Sequence, residues 1–210
     1  MERSRVTVAG VEEVGPDAIA LRLETPADFA ARPGQFVKLV TDVDGEEASR
    51  FYTISSPDVA DTFELTIGID PEGDVSPHLR DLADGDEVTC SGPYGNAYYE
   101  DEPRVLVLAG GPGIGAAIGI AERAIADGGE AAIVYRDAEP IHDARLAAIE
   151  DDAFVRVLDA DDPLEDALAE ALTDDQQVFV YGFADFLDDA IGAIEAAGGH
   201  PDAAKVENFG

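Results

Sequence analysis

The chain has 210 residues, 46% of them hydrophobic, enough to build a core as one large domain or two of about 100 residues each. Its 46 acids against 13 Lys and Arg give a formal net charge of −33, which excludes nucleic acid and anionic membranes as partners because their own negative charge repels the chain. One cysteine, Cys90, and three scattered histidines exclude disulfides and cysteine-ligated metal or iron–sulfur sites, and no apolar stretch reaches the ~18 residues that span a bilayer.

The opening, Met1–Arg5, carries two arginines with no apolar run behind them. No secretory segment is expected, and a cytoplasmic protein is. Short strands separated by turns follow. The predicted strands are Arg5–Val11, Ile19–Glu24, Gln35–Val40, Arg50–Ser55, Thr62–Ile69 and Glu87–Ser91, with one helix at Val75–Leu82. Gly15-Pro16-Asp17, Pro33-Gly34, Asp44-Gly45, Pro71-Glu72-Gly73 and Asp84-Gly85-Asp86 supply the turns. Six such strands predict an antiparallel six-stranded β-barrel over residues 1–100. Cys90 falls in the last of them and is expected to be inert core.

After the polar stretch Glu100-Asp101-Glu102-Pro103 the rhythm changes to strand–helix alternation. Strands are predicted at Arg104–Ala109, Ala131–Arg136, Phe154–Leu158, Val178–Gly182 and Lys205–Phe209. Helices are predicted at Ile114–Asp127, His142–Ile149, Leu164–Leu172 and Ala184–Ala197. Five apolar strands, each separated by a helix, predict a Rossmann-like α/β domain with a five-stranded parallel sheet over residues 101–210.

The acid is dispersed along both halves, in pieces such as Asp42-Val43-Asp44, Glu150-Asp151-Asp152 and Asp161-Asp162, and only two lysines occur, Lys38 and Lys205. Dispersed acid describes a surface kept soluble in strong salt, where the Debye length falls to about 3 Å at 1 M. A halophilic protein is expected. No metal site is expected.

Two patterns carry chemistry. Gly110-Gly111-Pro112-Gly113-Ile114-Gly115-Ala116 follows a strand and opens a helix, with Gly111, Gly113 and Ala116 at G-x-G-x-x-A spacing. Such a loop offers free N–H groups to a pyrophosphate; the alternative is a turn needed only for close packing of strand on helix. In Arg50-Phe51-Tyr52-Thr53, strand alternation puts Arg50 and Tyr52 on one side, a cation and a flat ring suited to a phosphorylated aromatic ligand. Gly73-Asp74-Val75-Ser76 opens a helix whose first amides suit a phosphate. The alternative here is a buried arginine paired with a carboxylate, beside an ordinary serine cap.

Arg50-Phe51-Tyr52-Thr53 resembles the R-x-Y-[ST] motif of the ferredoxin–NADP reductase superfamily. In that family's order, Gly73-Asp74-Val75-Ser76 resembles the G-x-x-S phosphate segment, and Gly92-Pro93-Tyr94-Gly95 the turn that ends the flavin barrel. The Gly110–Gly115 run resembles the nicotinamide loop, Tyr181-Gly182-Phe183 the C-G-P segment, and Val206–Gly210 the closing E-x-F strand. The acidic composition is that of a haloarchaeal-like member.

The resemblance implies FAD bound by Arg50, Phe51, Tyr52, Thr53, Gly73, Asp74, Val75 and Ser76. Arg50 and the amides of Asp74–Ser76 would hold its pyrophosphate. Tyr52 would lie against the flavin and Thr53 would bond flavin N5. It implies NAD(P)H as substrate along Gly111, Gly113, Ile114 and Gly182, with Glu207 near the nicotinamide. Thr53 and Glu207 are the catalytic candidates. Pro112 and Tyr181 depart from the family's Thr and Cys, and Asp159–Pro163 offers no pair of residues for a 2′-phosphate. The implied function is electron passage between NAD(P)H and a one-electron carrier such as ferredoxin. The alternatives are an electron-transfer subunit or a flavin-binding regulatory module without nicotinamide turnover of its own.

Overall fold

The structure, a computed structural model, describes residues 3–43 and 45–210. Met1, Glu2 and Asp44, part of the sequence readings above, lie outside them. The first sheet contains β1 (Ser4–Gly15), β2 (Ala18–Glu24), β3 (Phe36–Val43), β4 (Glu46–Thr53), β5 (Thr62–Gly68) and β6 (Glu87–Tyr94), with helix α1 (Val75–Arg80) between the last two. All its pairings are antiparallel, in the order β4-β3-β6-β1-β2-β5. Alternate residues turn Val6, Ile19, Leu21, Leu39, Phe63 and Leu65 into one core, which α1 covers with Val75 and Leu79. The outer strands β4 and β5 approach each other through a single bridge, Ile54 with Leu65. The expected barrel is therefore a six-stranded, barrel-like sheet, with that one bridge in place of the sixth ladder that would close it.

Four strands, β1, β3, β4 and β6, outrun their predicted ends by three residues or more because pairing, not composition, sets strand length; β3 reaches Val43 and β4 starts at Glu46 because those two residues still face each other. β1 continues to Gly15, since the tight turn at Pro16-Asp17 lets Gly15 still face Ala18. β6 continues through the expected Gly92-Pro93-Tyr94 turn, since Tyr94 still faces Phe36. Cys90 is fully buried, and burial pushes its thiol up to about 12.

The second sheet is parallel throughout, with strands β7 (Arg104–Gly110), β8 (Glu130–Arg136), β9 (Ala153–Leu158), β10 (Gln177–Gly182) and β11 (Lys205–Asn208) in the order β11-β10-β7-β8-β9. Helices α2 (Ile114–Ala126) and α3 (Asp143–Ile149) cover one face, and α4 (Leu164–Ala171) and α5 (Ala184–Ala196) the other. Each fully buried Ile of α2, such as Ile114 or Ile118, contributes about 2 kcal/mol by leaving water. The expectation of five apolar strands holds for β7, β8 and β10 only. β9 and β11 lie at the sheet edges and are half exposed, because one neighbour is missing on each.

The two sheets meet along α2. A Cβ on Gly115 would lie 2.3 Å from Thr66 Oγ1, and one on Gly119 would lie 2.8 Å from the Ser55 carbonyl. Only glycine lets the helix backbone come this close to the first sheet. No helix among the described residues is long and apolar enough to cross a membrane.

Candidate functional site

Strand order in the second sheet reverses between β7 and β10, and chains leaving neighbouring strands in opposite directions open a crevice at their carboxyl ends. Pro112, after β7, and Phe183, after β10, stand at that crevice. The first sheet presents β3, β4, β6 and the start of α1 to the same place. The result is a cleft of about 1020 Å³.

One wall is aromatic and basic. Phe36 and Lys38 share a face of β3 by alternation. The Phe36 ring lies 5.6 Å from Phe51 and 5.9 Å from Tyr94, and Lys38 Nζ is 5.7 Å from the Phe51 centroid. Arg50, Phe51, Tyr52 and Thr53 all reach the cleft, although alternation predicts only every second one. β4 is an outer strand with no full ladder beyond it, so its open edge lets residues of both faces border the cleft. The opposite wall is Pro112, Phe183 and the end of the chain, Glu207–Gly210, with the Phe183 and Phe209 rings edge-on at 6.0 Å.

The charges on the basic wall are unusual for this chain. Arg22, Lys38 and Arg50 are the cations without an ion pair among the described residues, and two of the three line the cleft. In a protein with 46 acids, a cation left without a carboxylate stands ready for an anionic ligand. The alternative of a buried, carboxylate-paired arginine does not apply: Arg50 is exposed and donates to the Ser49 carbonyl at 2.9 Å. Burial pushes the Tyr52 phenol up to about 12 against the opposing pull of Arg50, so it keeps its proton at neutral pH. Burial also raises the Glu207 carboxyl, the direction that lets an acid hold a proton toward neutrality.

Gly73, Asp74, Val75 and Ser76 also border the cleft, beside Asp70. Asp74 makes no side-chain cap bond, which leaves the first amides of α1 without side-chain partners. The Ser76 hydroxyl accepts from the Asp70 N–H at 3.0 Å. That bond fixes the turn and occupies one of the oxygen's acceptor sites.

Gly111, Gly113, Ile114 and Gly182 are not among the cleft-lining residues. Gly111 has φ +57°, a conformation that glycine tolerates best. Ile114 is fully buried core. A Cβ on Gly113 would lie 2.4 Å from the Tyr181 carbonyl oxygen, and one on Gly182 would lie 2.7 Å from the Phe186 ring. These two glycines are required by packing, whatever else the loop does. Gly113→Val is accordingly expected to cost about 2 kcal/mol or more by forcing β10 away. Thermal unfolding checks this, and an unchanged melting temperature would refute the clash.

Tyr181 points away from the cleft. It is fully buried between Phe179 and Phe209, and its hydroxyl donates to the Ala97 carbonyl. Its ring fills interior space, and its backbone lies against the glycine loop. Sequence reasoning left out Phe36, Lys38, Tyr94, Pro112, Phe183 and Phe209 as site residues. Alternation on β3 was the available signal for the first two. Among the described residues, no group of His, Cys, Asp or Glu is placed to hold a metal ion.

Residues 5–99 match the family model described as Oxidoreductase FAD-binding domain. Over 95 residues the chain is 45% identical to the glycine betaine monooxygenase reductase subunit of Pseudomonas aeruginosa, covering 43% of this chain and 26% of that protein. Over 130 residues it is 32% identical to the toluate 1,2-dioxygenase electron transfer component of Pseudomonas putida, covering 60% of this chain and 38% of that one. The chain thus spans well under half the length of these relatives. Its fold is that of a ferredoxin NADP+ reductase from Neisseria gonorrhoeae with bound FAD and NADP, with a TM-score of 0.83 at 20% identity over the whole of both chains.

Proposed function

We propose, from the match of residues 5–99 to the oxidoreductase FAD-binding domain, that this chain is an FAD-dependent NAD(P)H reductase. It divides near residue 100 into that domain and a nucleotide-binding α/β domain. The observation that carries the reading is the pair of cations without ion pairs, Lys38 and Arg50, set among aromatic rings in edge-on and tilted contact and facing Glu207 across one cleft. The cleft's size suits a large cofactor, and its basic wall suits a pyrophosphate.

Arg50, the amides at the start of α1 and the Ser76 hydroxyl proton hold the phosphates. Tyr52 and Phe51 flank the flat ring, and Thr53 offers its hydroxyl to N5. Pro112, Phe183 and Glu207 receive the nicotinamide at the carboxyl edge of β7 and β10, with Gly111 and Gly113 shaping the turn beside it. Bound FAD supplies hydride acceptance from NAD(P)H and release of electrons one at a time. The protein's own residues orient the two rings and exclude water between them. The acceptor is a small one-electron carrier such as ferredoxin, or an oxygenase component, the second being supported by relatives named as a monooxygenase reductase subunit and a dioxygenase electron transfer component. The net charge of −33 supports a cytosol rich in salt, of the haloarchaeal kind.

An anaerobic titration of the yellow protein with NADH and then NADPH, in molar KCl, tests this. Bleaching of the flavin band by either supports it. Stable FAD bleached by neither would favour the electron-transfer subunit or regulatory module, and a protein that refuses FAD would end the proposal. Phe183→Ala, an exposed change away from the basic wall, is expected to raise the KM for the nicotinamide about tenfold, through roughly 1 to 2 kcal/mol of lost aromatic contact, with FAD content unchanged. Equal KM values for variant and wild type would remove Phe183 from the site.

A further inference from the structure

The seam between the two sheets holds a charged cluster that the cleft does not use. Arg145 on α3 donates from Nη1 to Glu64 Oε1 at 2.8 Å and from Nη2 to the Ser55 carbonyl at 2.8 Å. It also grips Glu122 with two bonds, Nε to Oε1 at 3.0 Å and Nη2 to Oε2 at 2.7 Å. Side-chain exposure is 24% for Arg145, 19% for Glu64 and 24% for Glu122. At that depth ion pairs are screened by salt far less than pairs on the open surface, so the cluster survives the strong salt expected for this protein.

The residues it joins are the ones that matter. Ser55 is fully buried and follows Thr53 by two positions. Its N–H donates to the Glu64 carbonyl at 2.8 Å and its hydroxyl to Glu64 Oε1 at 3.0 Å. Glu122 sits on α2, the helix that begins directly after the Gly111–Gly113 turn. One guanidinium therefore spans from the end of the Arg50–Thr53 segment to the helix that carries the glycine loop. Close contact of Gly119 with the Ser55 carbonyl and the His142 Nε2 to Thr66 Oγ1 bond of 2.8 Å press the same two surfaces together.

We infer that Arg145 is a positioning residue, a three-way clamp that fixes the distance across the cleft between Thr53 and the Pro112 loop. The inference rests on the proposed reductase reading. Lysine cannot replace it: a point charge on a flexible stem cannot hold a carbonyl and two carboxylates at fixed angles.

The test compares wild type, Arg145→Gln and Arg145→Lys, each loaded with FAD. Flavin reduction is followed by anaerobic stopped flow across an NADH and NADPH series, and hydrogen exchange of residues 54–56 is measured in parallel. Both variants are expected to keep their FAD and an unchanged nicotinamide affinity. The reduction rate at saturation should fall about tenfold or more, since an ångström of misplacement costs up to about 100-fold. Exchange at 54–56 should rise. Arg145→Lys retains a charge partner for the two glutamates and so guards against outright unfolding of the glutamine variant. Wild-type rates in variants with faster exchange, or exchange that does not change, would overturn the clamp. A wild-type flavin that neither nicotinamide reduces would overturn the reductase reading and the clamp with it.

Discussion

Arg50→Ala is expected to fold normally and to bind FAD about 100-fold more weakly. Arg50 is exposed, and its hydrogen bond is to the neighbouring Ser49 carbonyl, so its removal breaks no packing and leaves no carboxylate unpaired. The rest of its fork, Nε and Nη2, is free for phosphate oxygens, and a charge-assisted contact of that kind is worth about 1.5 to 3 kcal/mol. Arg50→Lys should recover part of the affinity, because the charge remains and the bidentate geometry does not. Fluorescence titration of the apoprotein with FAD, in molar KCl, measures both. Retention of FAD at the wild-type dissociation constant would take Arg50 out of the site and would leave Lys38 as the cation on that wall.

Acidification is expected to weaken the fold through His142, and the size of this effect exceeds that of any single substitution proposed above. His142 is 3% exposed, bonds Thr66 across the seam, and has its pKa pushed down to about 3, first by burial and then by repulsion from Arg145. An unfolded histidine titrates near 6.5. Between those values the unfolded chain binds a proton that the folded chain refuses. The stability His142 contributes is therefore complete above about pH 6.5 and is lost as pH falls toward 3, at up to about 1.4 kcal/mol per pH unit and on the order of 5 kcal/mol in all. Carboxylates titrate in the lower part of the same window, so the difference between wild type and His142→Gln isolates the term. Denaturant midpoints from pH 7.5 down to pH 4.5 should converge or cross as wild type loses ground. A pH-independent gap would mean that His142 does not stay neutral in the folded protein.

Both expectations rest on surroundings that the fold sets, Arg50 being left without a carboxylate and His142 bonding Thr66 from 76 positions away, and this separates what is legible from what is not. Each long element except β1 and β4 is legible to within about three residues, since period-2 and period-3.6 patterns are local. The turn at Pro16-Asp17 was read as a turn, but the length of β1 depended on how far Ala18–Glu24 could pair with it. The Arg50–Thr53 and Gly73–Ser76 segments were visible as residue types at a spacing. The structure draws them into one cleft, through strand pairing that the spacing does not encode.

The glycine loop divides the same way. Gly111 needs a left-handed backbone, and a glycine-rich turn between strand and helix announces that in the sequence. Gly113 needs room for the Tyr181 carbonyl, which lies 68 positions further along, and no local pattern records it. Tyr181 itself, which stands where the C-G-P motif has its Cys, turns inward to Ala97, because a phenol can fill an interior gap and still find an acceptor. The sequence by itself determined the two kinds of sheet, the glycine turn and the extreme charge, all of which follow from neighbours in the chain. Only the tertiary structure decided which cations stay without ion pairs, which glycines are spacers and how Arg145 joins the halves. Those outcomes depend on which surfaces come into contact, and side-chain charge and volume act through space.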